Sequence, residues 1–137
     1  VTRLIDMGVE PYLLSSAMLG VVGQRLVRTI CPKCKTDFLA PAGLIEQYGW
    51  QDKGDVKLAK GNGCEDCYDS GYKGRVGIHE VLKTDAELQK LIISNPSRDE
   101  LTEYLDHRDF DNLFVDGLDR ALKRLTTIEE VSRVTSI

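Results

Sequence analysis

Two cysteine pairs, Cys31-Pro32-Lys33-Cys34 and Cys64-Glu65-Asp66-Cys67, are the residues of this chain whose type and spacing point most directly to chemistry. Zinc favours thiolates in tetrahedral geometry, and two residues between cysteines let one tight turn aim both sulfurs at the same ion. Two such turns complete a shell, and no cysteine is left over. The expected ligands of a single structural zinc ion are therefore Cys31, Cys34, Cys64 and Cys67. Lys33, Lys35 and backbone N–H groups would partly offset the surplus negative charge of four thiolates around one divalent ion. A closed four-cysteine shell has no open position for water, so such a metal stabilises a fold and activates no nucleophile. It is expected to organise a segment whose own core is too small to persist alone. Residues 35–63 make the spacer longer than in the usual ribbon, which implies an inserted small helix. Two other readings use the same residues. Paired disulfides are disfavoured in a reducing compartment, and a redox Cys-x-x-Cys centre is disfavoured by two matched pairs without thioredoxin-like surroundings.

Other chemistry is thin. The chain has no G-x-x-x-x-G-K-[ST] loop to cradle nucleotide phosphates. Gly61-Asn62-Gly63 begins a dinucleotide fingerprint, but Asp66 stands where its last glycine belongs. His79 and His107 lack a neighbouring nucleophile or carboxylate motif and read as structural or solvent-facing. Taken by themselves, Gln24, Arg25 and Arg28 are explained by an alternating strand, and Arg75 by an ordinary surface or ion-pair role. No residues assemble a self-contained catalytic site.

The elements that must position the cysteines follow from local signals. Gly8 closes a first amphipathic turn, and Pro11 suits the first position of a helix over residues 11–20, with Gly20 at its C-terminal end. β-Branched residues over 21–30 form a strand that runs into the first cysteine pair. Pro41 opens a short helix carrying Leu44, Ile45 and Tyr48, which Gly49 stops, and residues 56–59 form a short strand. Residues 71–75 read as a turn and 76–82 as a strand leaving the metal region. Four helices complete the chain. Thr84 with Glu87, and Ser97 with Glu100, form capping boxes that start the first two. A third carries Leu113, Phe114, Leu118, Ala121, Leu122 and Leu125; a fourth starts at Thr126 or Thr127, with Glu129 or Glu130 closing its box and Ile128, Val131 and Val134 on one side.

Composition narrows the class. With 42% apolar and 29% charged residues, the 137-residue chain is globular, one ordinary domain or two small lobes. No run approaches the roughly 18 apolar residues that cross a bilayer, and residues 1–6 lack a secretion signal, so a cytoplasmic location is expected. The chain opens without methionine and already in amphipathic pattern, as if cut from a longer protein. A net charge of -4, from 18 basic and 22 acidic residues, disfavours nucleic acid as a partner. Residues 81–137 are the acidic part, while residues 1–40 lean basic.

A resemblance spans nearly the whole chain in order. It is carried by residues 1–11, Leu13-Leu14-Ser15-Ser16, Gln24-Arg25-Leu26-Val27-Arg28 before Cys31-Pro32-x-Cys34, Gly63-Cys64-x-x-Cys67, and Gly71-Tyr72-x-Gly74-Arg75-x-Gly77-Ile78-x-Glu80. Asp116-Gly117-Leu118 and Thr126-Thr127-x-Glu129-Glu130-Val131-x-Arg133-Val134-Thr135 continue it. These motifs resemble the C-terminal part of the secretion-superfamily hexameric ATPases that power type II secretion and type IV pilus assembly. Arg124 departs from the pattern, near where relatives often carry glycine.

The resemblance implies an α+β chain: residues 1–30 the end of a RecA-like ATPase core, 31–70 a tetracysteine zinc-binding subdomain, 71–137 a mainly helical C-terminal subdomain. The phosphate-binding loop, the Walker B acid and the histidine box would lie upstream, so this fragment would be inactive alone while the parent uses ATP and Mg2+. Arg75 resembles a family position close to the nucleotide, and Arg25 is a companion candidate there or at a subunit seam. The implied partners are further copies in a homo-hexamer and inner-membrane platform and assembly proteins, with membrane association only through them, at the inner face of the bacterial inner membrane. A zinc-ribbon-like binding module for protein or nucleic acid is the competing reading, which the acidic balance and helical tail discourage.

Overall fold

The structure, a computed structural model, describes residues 1–108 and 110–135; the end of the expected C-terminal subdomain, at 136 and 137, lies outside them. It is a mixed α+β chain of seven α-helices and four strands among the described residues. Two long strands, β1 (Gly20–Ile30) and β4 (Tyr72–Lys83), hydrogen-bond to each other. Gly20 abuts Leu82 and Gly74 abuts Thr29, so the pair is antiparallel. The chain packs as two compact units, Val1–Gly23 with Glu80–Asp111 and Gln24–His79 with Asn112–Ile137, and each of the two strands contributes residues to both.

The first unit is built on helix packing. Helices α1 (Thr2–Asp6), α2 (Pro11–Ala17), α4 (Ala86–Ile93) and α5 (Arg98–Asp106) surround a core of Leu14, Leu88, Ile92 and Tyr104. Ser15 Oγ donates to the Gln89 carbonyl at 3.0 Å, tying α2 to α4. The Ser97–Glu100 capping box forms in both directions, as its spacing leads one to expect. The Thr84 box does not form. Asp85 is the cap instead, its Oδ1 accepting from Leu88 N at 2.8 Å, while it also accepts from the Tyr104 hydroxyl and pairs with Arg108. A carboxylate at a helix N-terminus is favoured by the local dipole and here gains two further partners, which leaves the buried Thr84 Oγ1 without one. The α2 helix also stops early: Met18 is extended, and Gly20 opens a strand, so it caps nothing.

The second unit surrounds the cysteines. Strand β2 (Lys35–Leu39) pairs antiparallel with β3 (Lys57–Gly61), in a register running from Lys35 opposite Gly61 to Leu39 opposite Lys57. Between them, α3 (Ala42–Gln47) and a 3-10 turn at Gln51–Lys53 fold over Ala40, Trp50, Val56 and Leu58. This is the expected inserted helix. Leu118 and Leu122 of α6 (Leu113–Leu122) pack on the same cluster, and Val27, Ile78 and Val131 form a second one that includes α7 (Ile128–Thr135). Residues 71–75 are not a turn: β4 begins at Tyr72 and runs through Gly74, whose φ of 85° sits inside the strand. Gly117 lets α6 and α7 close, since a Cβ there would lie 2.3 Å from Val131 Cγ1. The turn after α6 survives Arg124, which adopts φ 61° and places its guanidinium 2.7 Å from Asp37 on β2.

One buried carboxylate fastens α7 to the strands. Glu130, 2% exposed, accepts from Arg28 N, Nε and Nη2 and from Arg133 Nε and Nη2, all between 2.6 and 3.1 Å. Arg28 also lies over the Tyr72 ring, and the Tyr72 hydroxyl shares a 2.6 Å hydrogen bond with Thr127, whose Oγ1 caps α7 by accepting from Glu130 N. Donation from Arg133, against the opposing effect of burial and with the further help of Arg28, holds the Glu130 carboxyl well below the usual carboxylate range. A group depressed on folding stabilises the native state above its unfolded pKa, about 4.3, and loses that contribution as pH falls toward its folded value. Glu130→Ala is therefore expected to cost about 2–3 kcal/mol at pH 7 in urea unfolding, less than a fully interior pair because both arginines can rehydrate. Arg133→Ala should cost less than half of that, since Arg28 remains on the carboxylate. Measured from pH 7 down to pH 3, the gap between native protein and Glu130→Gln should shrink.

Candidate metal centre

The four cysteines arrive on different elements. Strand β1 delivers Cys31, whose N–H donates to the Gly71 carbonyl at 2.9 Å. Cys34 leads directly into β2, and Asn62 N donates to the Cys34 carbonyl at 3.1 Å, extending the β2–β3 ladder by one step toward the second pair. Cys64 begins the 3-10 turn Glu65–Cys67, and Asp69 N closes that turn on the Cys64 carbonyl at 2.8 Å. Tyr68 and Asp69 then take left-handed backbone, with φ 54° and 59°, to reverse the chain toward β4.

The result is a cluster in which all four Sγ atoms lie within 4.8 Å of one another. Cys31 and Cys64 are 3.8 Å apart, Cys34 and Cys67 3.8 Å, and Cys64 and Cys67 3.6 Å. A tetrahedron with Zn–S bonds of about 2.3 Å has sulfur–sulfur edges of about 3.8 Å. The donor set fits a thiophilic divalent ion. All four cysteines are free, so no disulfide joins them. Cys31 and Cys67 are buried, Cys34 and Cys64 partly so, which places the cluster at the edge of the unit.

The thiols are not electrostatically equivalent. Burial, with the neighbouring sulfurs of Cys67, Cys31 and Cys64, pushes Cys34 up to about 12 despite the Gly63 N–H. Burial also opposes ionisation of Cys67, but backbone N–H groups of Gly71 and Cys64, each 3.3 Å from its Sγ, prevail with the help of Cys64 and Cys34 and lower it to about 6. Cys67 is thus better prepared to carry charge than Cys34. Outside the sulfurs, Asp66 accepts from Lys73 at 2.6 Å and from Lys33 at 3.5 Å, and these three line an open groove with Cys64, Glu65 and Tyr68.

The remaining candidates stand apart from the cluster. Arg25 on β1 and Arg75 on β4 are both exposed, and neither side chain forms an ion pair or hydrogen bond among the described residues. His79 offers its backbone N–H to Asp116 Oδ2 at 2.8 Å, and His107 lies at the C-terminal end of α5, 3.9 Å from Glu103. Sequence reasoning missed the residues that seat the cluster. Gly71, at φ 80°, serves both Cys31 and Cys67 through its backbone and passes so close to Gly61 that a Cβ on either would overlap the other's carbonyl. The available signal was a glycine at each approach to the second cysteine pair, one before it and one after it.

Residues 1–133 match the family described as Type II/IV secretion system protein, and the chain belongs to that family. It is 42% identical, over 98% of its length, to the Type II secretion system ATPase E of Vibrio cholerae, of which it covers 27%. It is 41% identical over 98% of its length to the Type II secretion system protein E of Pseudomonas aeruginosa, again covering 27%. It is also 41% identical, over 96% of its length, to the Type IV pilus assembly ATPase PilB of Thermus thermophilus, of which it covers 15%. The chain thus spans about a quarter or less of these curated relatives.

Gly71→Ala should therefore damage the cluster beyond ordinary backbone strain, costing about 2–4 kcal/mol against about 1 kcal/mol for Gly49→Ala, where φ is also positive but space is open. Urea unfolding, paired with the rate at which the four thiols react with a disulfide reagent, checks both halves of that expectation.

Proposed function

We propose that this chain is the C-terminal, non-Walker part of a hexameric motor ATPase that drives type II secretion or type IV pilus assembly. The carrying observation is identity of 41–42% over nearly the entire chain to ATPases named for both systems. In this reading residues 1–30 end a RecA-like core, residues 31–70 form the tetracysteine subdomain, and residues 71–137 form the C-terminal subdomain. The parent binds ATP and Mg2+ with residues upstream of this chain, while Arg75, and with it Arg25, meets the nucleotide from this side. Two exposed guanidiniums without protein partners are available for that role.

Cys31, Cys34, Cys64 and Cys67 hold zinc in the same reading. The cluster's edge lengths and the thiolate preference of zinc support it. The bound ion supplies charge neutralisation and a crosslink, and takes no part in hydrolysis. The chain's own residues do the rest: Gly71 and Cys64 N–H groups orient Cys67, and the β2–β3 ladder holds the first pair against the second. The fixed knuckles then present a rigid element to an inner-membrane platform or assembly protein at the cytoplasmic face. No helix among the described residues is long and apolar enough to cross a membrane.

Elemental analysis of the reduced chain should find one zinc per polypeptide, and chelation should expose four titratable thiols. The chain alone should show no ATP turnover, whereas the parent carrying the preceding residues should turn ATP over and lose about ten-fold or more on Arg75→Ala. Metal-free reduced protein with native folding would overturn the zinc reading. A parent without ATPase activity would overturn the motor reading.

A further inference from the structure

The two Cys-x-x-Cys turns are spatial counterparts. Cys31 meets Cys64, Cys34 meets Cys67, and the third residue of one turn, Lys33, meets the third residue of the other, Asp66. Asp66 carries a second cation on its other oxygen, Lys73 from β4, at 2.6 Å. Asp66 is the least exposed of the three, with its side chain at 28% against 69% and 54% for the lysines, so it is the fixed member and they are the mobile ones.

We infer that Asp66 is a positioning residue for the metal centre, holding the Lys33 and Lys73 ammonium groups beside the thiolates and so slowing loss of the ion. The inference rests on the zinc reading above. Four thiolates around a divalent ion carry two surplus negative charges, more than the metal-free cysteines carry. Cations nearby therefore favour the loaded state, and a carboxylate nearby, taken alone, disfavours it. Lys33, Asp66 and Lys73 line one groove with Cys64. Long lysine side chains left to themselves spend little time in one place, because holding them costs rotamer entropy. Asp66 removes that freedom, one lysine on each oxygen, and joins the knuckles outside the metal shell.

The sign of one substitution separates this from simple charge addition. Removing a negative charge from the rim should tighten zinc if Asp66 acts only through its own field. It should loosen zinc if Asp66 acts by keeping two cations in place. The experiment uses the zinc-loaded chain and follows transfer of zinc to a chromogenic chelator under reducing conditions at low ionic strength. Asp66→Asn and Lys73→Met are each expected to release zinc roughly three- to ten-fold faster, less than the roughly ten- to hundred-fold typical of outer-shell changes because these groups are partly exposed. Lys73→Arg should restore the native rate. Added salt should speed release from the native chain and have little effect on Asp66→Asn, whose strap is already open. A cobalt-substituted sample of each variant should keep the same thiolate charge-transfer band, which shows an unchanged first shell and excludes general unfolding as the cause. Release from loaded Asp66→Asn that is equal to or slower than native overturns this inference alone. Failure of the native chain to take up metal overturns the zinc reading and this inference together.

Discussion

The approach of two sulfur-bearing turns to within 3.8 Å of each other is the constraint on which the second unit depends. Four thiols brought that close gain little from one another, because sulfur is a weak donor and acceptor. Something else must hold them. The β2–β3 ladder does so on one side, with the backbone bond from Asn62 to Cys34 carrying its register to the edge of the cluster. Gly71 does so on the other, binding Cys31 through its carbonyl and Cys67 through its N–H. The ladder in turn needs the small core of Ala40, Trp50, Val56 and Leu58, to which α3 and α6 contribute Leu44, Ile45, Leu118 and Leu122. Cluster, ladder and core are therefore one cooperative object.

Charge provides the second closure. Glu130 is nearly inaccessible, and burying a carboxylate is costly unless its oxygens are filled. Here five N–H donors from Arg28 and Arg133 converge on it, one of them the backbone N–H of Arg28 on β1. That bond ties the position of α7 to the exit of β1, three residues before Cys31. Thr126 adds a hydroxyl bond to the Arg28 carbonyl at 2.7 Å, and Ile30 N reaches the Leu125 carbonyl at 2.9 Å. The C-terminal helix thus braces the strand that feeds the first knuckle, although it donates no ligand.

Much of this was legible in the residues, and the gaps have physical causes. The cysteine spacing, the strand entering the first pair, the inserted helix and the Ser97–Glu100 box all follow from local chemistry, and the structure contains each. The β2 strand was not visible, because Lys-Thr-Asp-Phe-Leu is exposed along its length and has no buried face to impose alternation; it is a strand only because β3 pairs with it. Residues 71–75 looked like a turn because two glycines and a lysine usually make one, yet only Gly71 lies outside the strand, and Gly74 takes positive φ without ending the extended run. At Thr84 the local rule was sound and lost to a neighbour: Asp85 can cap α4 and also meet Tyr104 of α5 and Arg108 just beyond its end, both distant in sequence. Glu130 was seen only as a possible capping partner. Its larger role required knowing that Arg28, far away in sequence, would come to lie beneath it.

These observations bear on what a closed metal site, as proposed for this chain, would do. A shell of four thiolates has no vacant position from which to polarise water, so any influence on activity has to pass through geometry. The geometry in question is local: the knuckles, the ladder and the Gly61–Gly71 crossing all belong to the second unit. Arg75 sits four residues beyond Gly71 on β4, the strand whose entry the cluster clamps through Cys31 and Cys67. Four residues of extended chain span roughly 13 Å with little bending freedom when paired to a neighbouring strand. Fixing the strand's first residues therefore fixes the direction from which that guanidinium leaves the sheet. In the proposed motor, a metal ion without catalytic chemistry would still influence nucleotide binding by setting where one arginine begins.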